Sequence, residues 1–187
     1  MPVHNLSGTQ TSSTRSVAAK EFFSTKENRS EYSDLVSIFD HWNELHGDCF
    51  APKYADFKIS DLEYGVIPYC AVVDVIPEGP IFNYRFWGTA LVEIINFEMT
   101  GKNAHDLMPE SLAEAAVKAY SDVMELGTAT VTIILMQQVY GVTAKTVTLR
   151  LPMSSNQTDI DVIFSAVVMS AEDKKDVSEV SKSTGTQ

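Results

Sequence analysis

The chain has 187 residues, of which 44% are hydrophobic and 21% are charged, and its formal net charge is −11. This composition is typical of one globular domain with flexible ends, and the length is sufficient for a substantial core. The acidic balance disfavours nucleic acids and anionic membrane surfaces as partners, since both require a basic patch. With two cysteines outside any C-x-x-C pair, no secretory signal and no membrane-length apolar run, the sequence predicts a reduced, cytoplasmic protein.

The first 46 residues are predicted to contain a tail and one amphipathic helix. Residues 1–30 are rich in Ser and Thr, which predicts a disordered or loosely docked segment. Residues 33–46 carry an apolar stripe that includes Phe39 and Trp42, and the stripe is wider than contact with one sheet requires. We therefore expect this helix to flank the domain and to contribute Phe39 and Trp42 to a dimer interface.

A predicted hairpin follows, in which residues 69–77 and 81–87 form the strands. A two-residue loop would make Asp74 a diagonal neighbour of Arg85, which predicts an ion pair between the strands. In this register Tyr84 lies on a purely apolar face that is expected to line the core or a pocket. A slip of one residue would exchange the two faces.

The same register assigns the two last aromatic residues of the hairpin to opposite faces. Phe86 follows Tyr84 on the apolar face and is expected to line the pocket. Trp87 lies on the mixed face beside Asp74 and Arg85, and this composition is typical of an interface centre. Trp87 is therefore predicted to belong to the dimer interface.

The second half of the chain predicts helices and then three hairpin-linked strands. The predicted helical segments are 90–97, 103–107 and 109–126, and the strands are 128–138, 142–152 and 159–170. Two strands, helices and three further strands define an antiparallel α+β domain. Residues 172–187 are predicted to be a flexible tail.

Three features in chain order resemble the PAS domain superfamily, in particular small stand-alone PAS-like proteins common in alphaproteobacteria. They are a helix that ends near Trp42, an extended segment with Pro52, and an R-x-x-G-T strand end. The motif residues are Arg85, Gly88, Thr89 and, in a later turn, Gly101. The resemblance implies a five-stranded antiparallel sheet with helices on one face and an N-terminal flanking helix. It also implies that residues 31–171 form a sensory or ligand-binding module.

Covalent flavin and haem are disfavoured by the residues at the positions where related sensors carry the reactive cysteine or the ligating histidine. Residues 101–107 resemble the flavin motif of light sensors, but Ala104 occupies the position of the reactive cysteine. The resemblance to haem-binding sensors places the ligating histidine near Ala116, and the long helix contains no histidine. We therefore expect neither covalent flavin nor haem. No metal site is predicted, because the histidines of the first helix do not share one helix face.

The predicted pocket combines bulky side chains with one histidine. It consists of Tyr84, Phe86, His105, Tyr120, Ile133, Leu135 and Phe164. For most of these residues a core role is the alternative, and for His105 an exposed turn position. The sequence favours a sensory module that acts in trans through a small molecule, a signalling protein or homodimerisation. The alternatives are a small isomerase-like enzyme with Asp74 as base and a dimerisation scaffold without a ligand.

Overall fold

The computed structural model describes residues 15–76, 81–137 and 143–169, which form a six-stranded antiparallel sheet with helices on both faces. The strands are β1 (Arg15–Ala18), β2 (Cys70–Ile76), β3 (Ile81–Trp87), β4 (Thr130–Gln137), β5 (Thr143–Met153) and β6 (Val162–Met169). The helices are α1 (Ala19–Phe22), α2 (Lys26–Glu31), α3 (Ser33–His46), α4 (Thr89–Ile95) and α5 (Glu110–Leu126). The predicted α+β class is confirmed, with one strand more than expected.

The strand order in the sheet is β1-β4-β5-β6-β2-β3, and each neighbouring pair is antiparallel. Helices α1 and α3 cover one face, which we call the α3 face. Helices α4 and α5 cover the opposite face, which we call the α5 face. The sheet is therefore the middle of three layers, and its strands are buried on both sides.

The α3 face is packed with aliphatic and aromatic side chains. From the helix, Leu35 and Trp42 are almost fully buried against Leu149 and Phe164 of the sheet. The indole Nε1 of Trp42 donates a hydrogen bond to the carbonyl oxygen of Pro152 at 3.0 Å. The wide apolar stripe predicted for this helix is therefore covered by the chain's own sheet.

Residues 15–30 fold onto the domain, so the predicted domain boundary at residue 31 is too late. Strand β1 pairs with β4 at the edge of the sheet. The backbone N–H of Ala19 donates to the carbonyl oxygen of Ala129 at 2.8 Å, and the Phe23 side chain is only 3% exposed. Residues 1–14 and the predicted tail, 172–187, lie outside the described residues.

Helices α3 and α5 each end at a glycine with positive φ. Gly47 follows α3 with φ +45°, and Gly127 follows α5 in the left-handed helical conformation with φ +62°; glycine adopts positive φ values without a Cβ penalty. Pro109 immediately precedes α5, one position earlier than predicted. Helix α5 presents four buried alanines to the sheet, and it packs across β1, β4 and β5.

Two glycines of the PAS-like motif have distinct structural roles. A Cβ at Gly88 would lie 2.6 Å from the carbonyl carbon of Pro68, so the backbones approach each other too closely for any side chain. Gly101 has φ +80°, and its N–H donates to the carbonyl oxygen of Tyr84 at 2.7 Å. The segment after α4 is thereby attached to the edge of β3, while Thr89 begins α4 and is exposed.

A β-bulge interrupts the pairing of β2 with β3. The register shifts between Val72 and Val73, which leaves Arg85 as an extra residue in β3. The predicted register holds as far as Val73, and beyond the bulge the side chains of β3 exchange faces. Phe86 therefore packs on the α3 face and Trp87 on the α5 face, so both predicted assignments are wrong.

Candidate functional site

The predicted pocket residues do not come together on one side of the sheet. Tyr84 and Tyr120 lie together on the α5 face, where their hydroxyl oxygens are 3.4 Å apart. Phe164 lies on the α3 face, with its ring centre 4.9 Å from that of Phe57. The aromatic side chains therefore fill two separate cores, which was the alternative interpretation.

The remaining predicted pocket residues are also placed elsewhere. Phe86 is on the α3 face because of the bulge, and Ile133 of β4 is 38% exposed. His105 is exposed in a 3₁₀ turn, where its backbone N–H donates to the Asn103 side-chain oxygen at 2.9 Å. The side chain of Leu135 lies outside the described part of the chain. A pocket formed by this set is therefore wrong.

The structure brings Asp74 and Arg85 together in an ion pair at the bulge. The Arg85 Nε donates to Asp74 Oδ2 at 3.2 Å, and the guanidinium lies 5.2 Å from the centre of the Tyr54 ring. Both side chains are partly exposed, 45% for Arg85 and 36% for Asp74. Both carboxylate oxygens of Asp74 are engaged by the Arg85 guanidinium, so this geometry gives no support to an isomerase with Asp74 as base.

The three side chains predicted for a dimer interface pack within one chain. Phe39 is 8% exposed and Trp42 is 3% exposed against the α3 face. Trp87 is half-buried on the α5 face, with its ring centre 4.7 Å from that of Tyr84. The predicted interface is therefore wrong for Phe39 and Trp42, because the sheet of the same chain already covers them, and for Trp87 it stays a prediction.

One row of side chains crosses all six strands on the α5 face. In strand order, directly paired residues are Ala18, Thr130, Arg150, Ser165, Ala71 and Trp87. Residues paired directly across an antiparallel sheet point to the same face, with Cβ atoms about 4.5–5.5 Å apart. We call its four polar members, Thr130, Arg150, Ser165 and Trp87, the polar row.

Arg150 is the charged centre of the polar row and is only 5% exposed. Its Nη1 donates to Thr132 Oγ1 at 3.0 Å, and its guanidinium carbon lies 5.0 Å from the centre of the Tyr120 ring. Among the described residues no carboxylate lies within ion-pair distance, and the Arg150 Nε has no hydrogen-bond partner. Burying a cation without a counter-ion costs several kcal/mol of folding free energy. A bound anion would offset this cost.

The other three members of the row also carry buried polar atoms without partners in the described structure. They are Thr130 Oγ1, Ser165 Oγ and Trp87 Nε1. Each such group loses its hydrogen bonds to water without replacement, at a cost of about 1–3 kcal/mol. Four instances in one row, three of them on neighbouring strands, are therefore a feature of the site rather than an isolated packing defect.

Tyr84 and Tyr120 form an aromatic wall beside the polar row. The Tyr84 ring contacts Trp87, and the Tyr120 ring contacts the Arg150 guanidinium. Burial raises the pKa of the Tyr84 phenol well above its usual value, and the neighbouring Tyr120 adds to the effect. The hydroxyl of Tyr84 therefore stays protonated and remains a hydrogen-bond donor at any physiological pH.

Two cavities among the described residues lie away from this row, on the α3 face. One is a cavity of about 30 Å³ between α3 and β6. The other is an open cleft of about 400 Å³ beside the ion pair, with Lys53, Arg85 and Asp161 on its walls. Its charges are mixed and its walls are solvent-exposed, so it does not define the chemistry of a ligand.

Sequence reasoning missed the polar row because polar residues at alternate positions suggest a solvated strand face. In β4 and β5, Thr130, Thr132, Thr148 and Arg150 follow this pattern, yet all are 5% exposed or less. The available signal was the combination of this alternation with an amphipathic, alanine-rich helix that must cover the same face.

Metal binding and membrane insertion find no structural basis within the described ranges. No group of three or more His, Cys, Asp or Glu side chains there is placed to hold a metal ion. No helix in the same part of the chain has the length and apolar character needed to cross a bilayer.

The sequence model of the PAS domain matches residues 30–168. The match covers more than half of the chain, so the chain belongs to the PAS domain family. This confirms the resemblance given by the residues around Arg85, Gly88 and Gly101. No curated protein matches the chain in sequence.

Solved structures that are similar to the chain include three light-oxygen-voltage proteins. One, from work on a flavin analogue and the light-oxygen-voltage domain mechanism, is 13% identical, with a TM-score of 0.42 over 63% of this chain and 87% of that chain. An RNA-binding light-oxygen-voltage receptor is 12% identical, with a TM-score of 0.48 over 97% of this chain and 46% of that chain. The light state of the blue-light photoreceptor Aureochrome1 LOV is 12% identical, with a TM-score of 0.40 over 63% of this chain and 91% of that chain. The chain spans less than half of the RNA-binding receptor, and we draw no functional conclusion from similarity at this level.

Proposed function

We propose that the chain is a sensory module that binds a small molecule between its sheet and helix α5. The observation that supports this proposal is the polar row, whose buried donors have no partners among the described residues. A ligand that accepts their hydrogen bonds would offset the free-energy cost of burying them.

A scaffold with a filled core is the competing proposal, and the row argues against it. Buried polar groups without partners are usually less favourable than apolar side chains of the same size. The α3 face of the same sheet has apolar residues at the equivalent depth, among them Leu149 and Leu151 next to Arg150 in β5. The polar residues on the α5 face are therefore better explained by ligand binding than by packing.

Ligand binding would be relayed by α5, because this helix contacts β1 and also β4 and β5, the strands that carry Thr130 and Arg150 of the row. A small molecule that enters between helix and sheet must move α5, and a moved helix presents a different surface to a partner. The partner is a signalling protein or a second copy of the chain. For a homodimer, the exposed Ile76 and Ile81 at the end of the first hairpin replace the buried residues predicted earlier.

The test is the mass of the native protein. Protein purified from its source organism and from a heterologous host is measured by native mass spectrometry and again after denaturation. We expect a mass excess of one small molecule per chain that disappears on denaturation, at least in the protein from the source organism. If both preparations have the mass of the chain alone, and no compound in a metabolite library raises the unfolding temperature, the proposal is wrong.

A further inference from the structure

We infer that the small molecule is an organic carboxylate, with its acid group bound by Arg150 and Ser165 and its apolar body directed toward Trp87. This inference rests on the proposed function, since it names the chemistry of the ligand at that same site. It is carried by charge, by hydrogen-bond complementarity and by the spacing of the polar row.

The charge of the site requires an anion. The buried guanidinium of Arg150 is permanently charged, and no carboxylate of the described residues pairs with it. A neutral ligand would leave the cation without a counter-ion, and a cationic ligand would add a second buried positive charge. An anion is the one charge class that lowers the electrostatic cost already present in the site.

The unpartnered atoms select a ligand with acceptor atoms. Arg150 Nε and Trp87 Nε1 carry N–H groups that only donate, whereas the hydroxyls of Ser165 and Thr130 donate or accept. Because Nη1 of Arg150 is already bonded to Thr132, the free side of the guanidinium is the one that includes Nε. A carboxylate fits this planar edge with short, charge-assisted hydrogen bonds.

The sheet register places the second donor beside this edge. Ser165 pairs directly with Arg150, so one carboxylate can accept from Arg150 Nε through one oxygen and from Ser165 Oγ through the other. The row member between Ser165 and Trp87 is Ala71, whose side chain is a single methyl group. Two strand spacings, roughly 9–10 Å, separate Ser165 from Trp87, which matches an acid with a body of about one ring.

The walls of this interval are aromatic. Tyr84 lies against Trp87, and Tyr120 lies against both Tyr84 and Arg150. Aromatic side chains favour an apolar or aromatic body, and the Trp87 N–H offers one further donor to an acceptor at its far end. The site therefore differs from a simple inorganic-anion site, which would need no apolar wall.

Binding is tested with benzoate and 4-hydroxybenzoate as probes, with benzamide as the uncharged control and inorganic phosphate as the anion without an apolar body. Calorimetry and thermal unfolding are measured on the full chain, after extraction and identification of any molecule retained on purification. We expect the two carboxylates to bind and to raise the unfolding temperature, and benzamide and phosphate to have little effect. A molecule extracted from the protein should carry a carboxylate.

Three variants test separate contacts of the site, and a fourth serves as the control. Arg150→Met should weaken carboxylate binding about tenfold or more, because it removes a charge-assisted contact. Ser165→Ala and Trp87→Phe remove polar atoms that have no partner in the described structure, so both should fold even if Arg150→Met does not. Each should weaken binding severalfold, and the ligand-free Ser165→Ala protein should keep or gain thermal stability. Arg85→Met, at the partly exposed ion pair away from the polar row, should leave binding unchanged.

The outcomes separate the two proposals. A neutral extracted molecule, or carboxylate affinities that Ser165→Ala and Trp87→Phe leave unchanged, would overturn the carboxylate inference while a sensory pocket remains. Binding of phosphate as tight as that of benzoate would overturn the apolar part of it. If no molecule is retained and no probe binds, both proposals fail, and buried water is the partner of the row.

Discussion

The two faces of the sheet differ in the side chains that they bury, although the same six strands contribute to both. The α3 face buries mainly apolar side chains, and the α5 face also buries the polar row. On the α3 face, Leu149 and Phe164 pack against α3, the Trp42 indole N–H is bonded to the Pro152 carbonyl, and His41 Nε2 is one isolated polar atom without a partner among the described residues. On the α5 face, the polar row places Arg150 and Ser165 in the interior without complete partners. In β5 and β6 the two kinds of residue are direct neighbours in sequence.

This difference teaches that a buried strand can serve stability with one face and recognition with the other. Since adjacent residues share the same backbone and depth, substitutions at neighbouring positions compare the two faces with few other variables. The apolar residues of the α3 face should respond to truncation like a packed core, and the polar row of the α5 face should not.

The largest difference is expected between Phe164→Ala and Ser165→Ala. Phe164 is fully buried, so its truncation should reduce the free energy of unfolding by about 3–5 kcal/mol. Ser165→Ala removes an unpartnered hydroxyl and should change the free energy by no more than about 0.5 kcal/mol, or raise it. Urea denaturation followed by tryptophan fluorescence measures both. Equal losses would mean that the Ser165 hydroxyl is paired and that the faces do not differ.

Gly88→Ala tests the close approach between Gly88, which precedes α4, and the Pro68 carbonyl group. The added Cβ would meet the Pro68 carbonyl group, and displacing that backbone should cost about 1–3 kcal/mol of unfolding free energy. Gly65→Ala is the matched control, since a Cβ there meets no atom within 4 Å. A thermal melt that shows the same small change for both variants would contradict the close approach.

The two tryptophans provide a comparison with one substitution. Trp42→Phe breaks the bond to the Pro152 carbonyl oxygen and should cost about 1–2 kcal/mol more than Trp87→Phe, which removes an unpartnered N–H. Trp42 is also more deeply buried than Trp87, so the difference combines the lost hydrogen bond with a larger loss of packing. Chemical denaturation of both in one buffer provides the measurement, and a Trp87→Phe loss as large as that of Trp42→Phe would locate a hidden partner for Trp87.

The smallest effect is expected at the exposed ion pair of the bulge. A double-mutant cycle with Asp74→Ala and Arg85→Ala should give a coupling free energy of about 0.2–1 kcal/mol, since both side chains are solvated. The coupling should weaken when the cycle is repeated in high salt. Strict additivity at low salt would show that the pair is not formed in solution.

Local patterns were sufficient for the elements whose signals are local. The apolar stripe of residues 33–46 correctly predicted α3, and the predicted segment 109–126 agrees with α5 to within one residue. The hairpin register was correct up to Val73 because the alternation of apolar residues specifies which face is buried. Family membership followed from the strand end at Arg85 to Thr89.

The failures share one cause, which is that partners distant in sequence decided the outcome. Nothing in the local pattern around Arg85 indicates an extra residue, yet the bulge moved Phe86 and Trp87 to opposite faces. Strand β1 is four residues long and becomes a strand only because the edge of β4 is free to pair with it. The polar row is visible only when both faces of the sheet are known to be covered.

Strand β1 has a consequence for any shortened version of this protein. The family match begins at residue 30, but the Ser16 hydroxyl is 3.0 Å from Thr132 Oγ1, which in turn accepts from Arg150. A chain trimmed to residues 30–168 would lose this strand and leave the backbone N–H and C=O groups along the β4 edge unpaired. Exposed edges of this kind recruit strands from other molecules, so such a fragment should aggregate or exchange strands where the longer chain does not. The folding unit therefore begins upstream of the region by which the family is recognised.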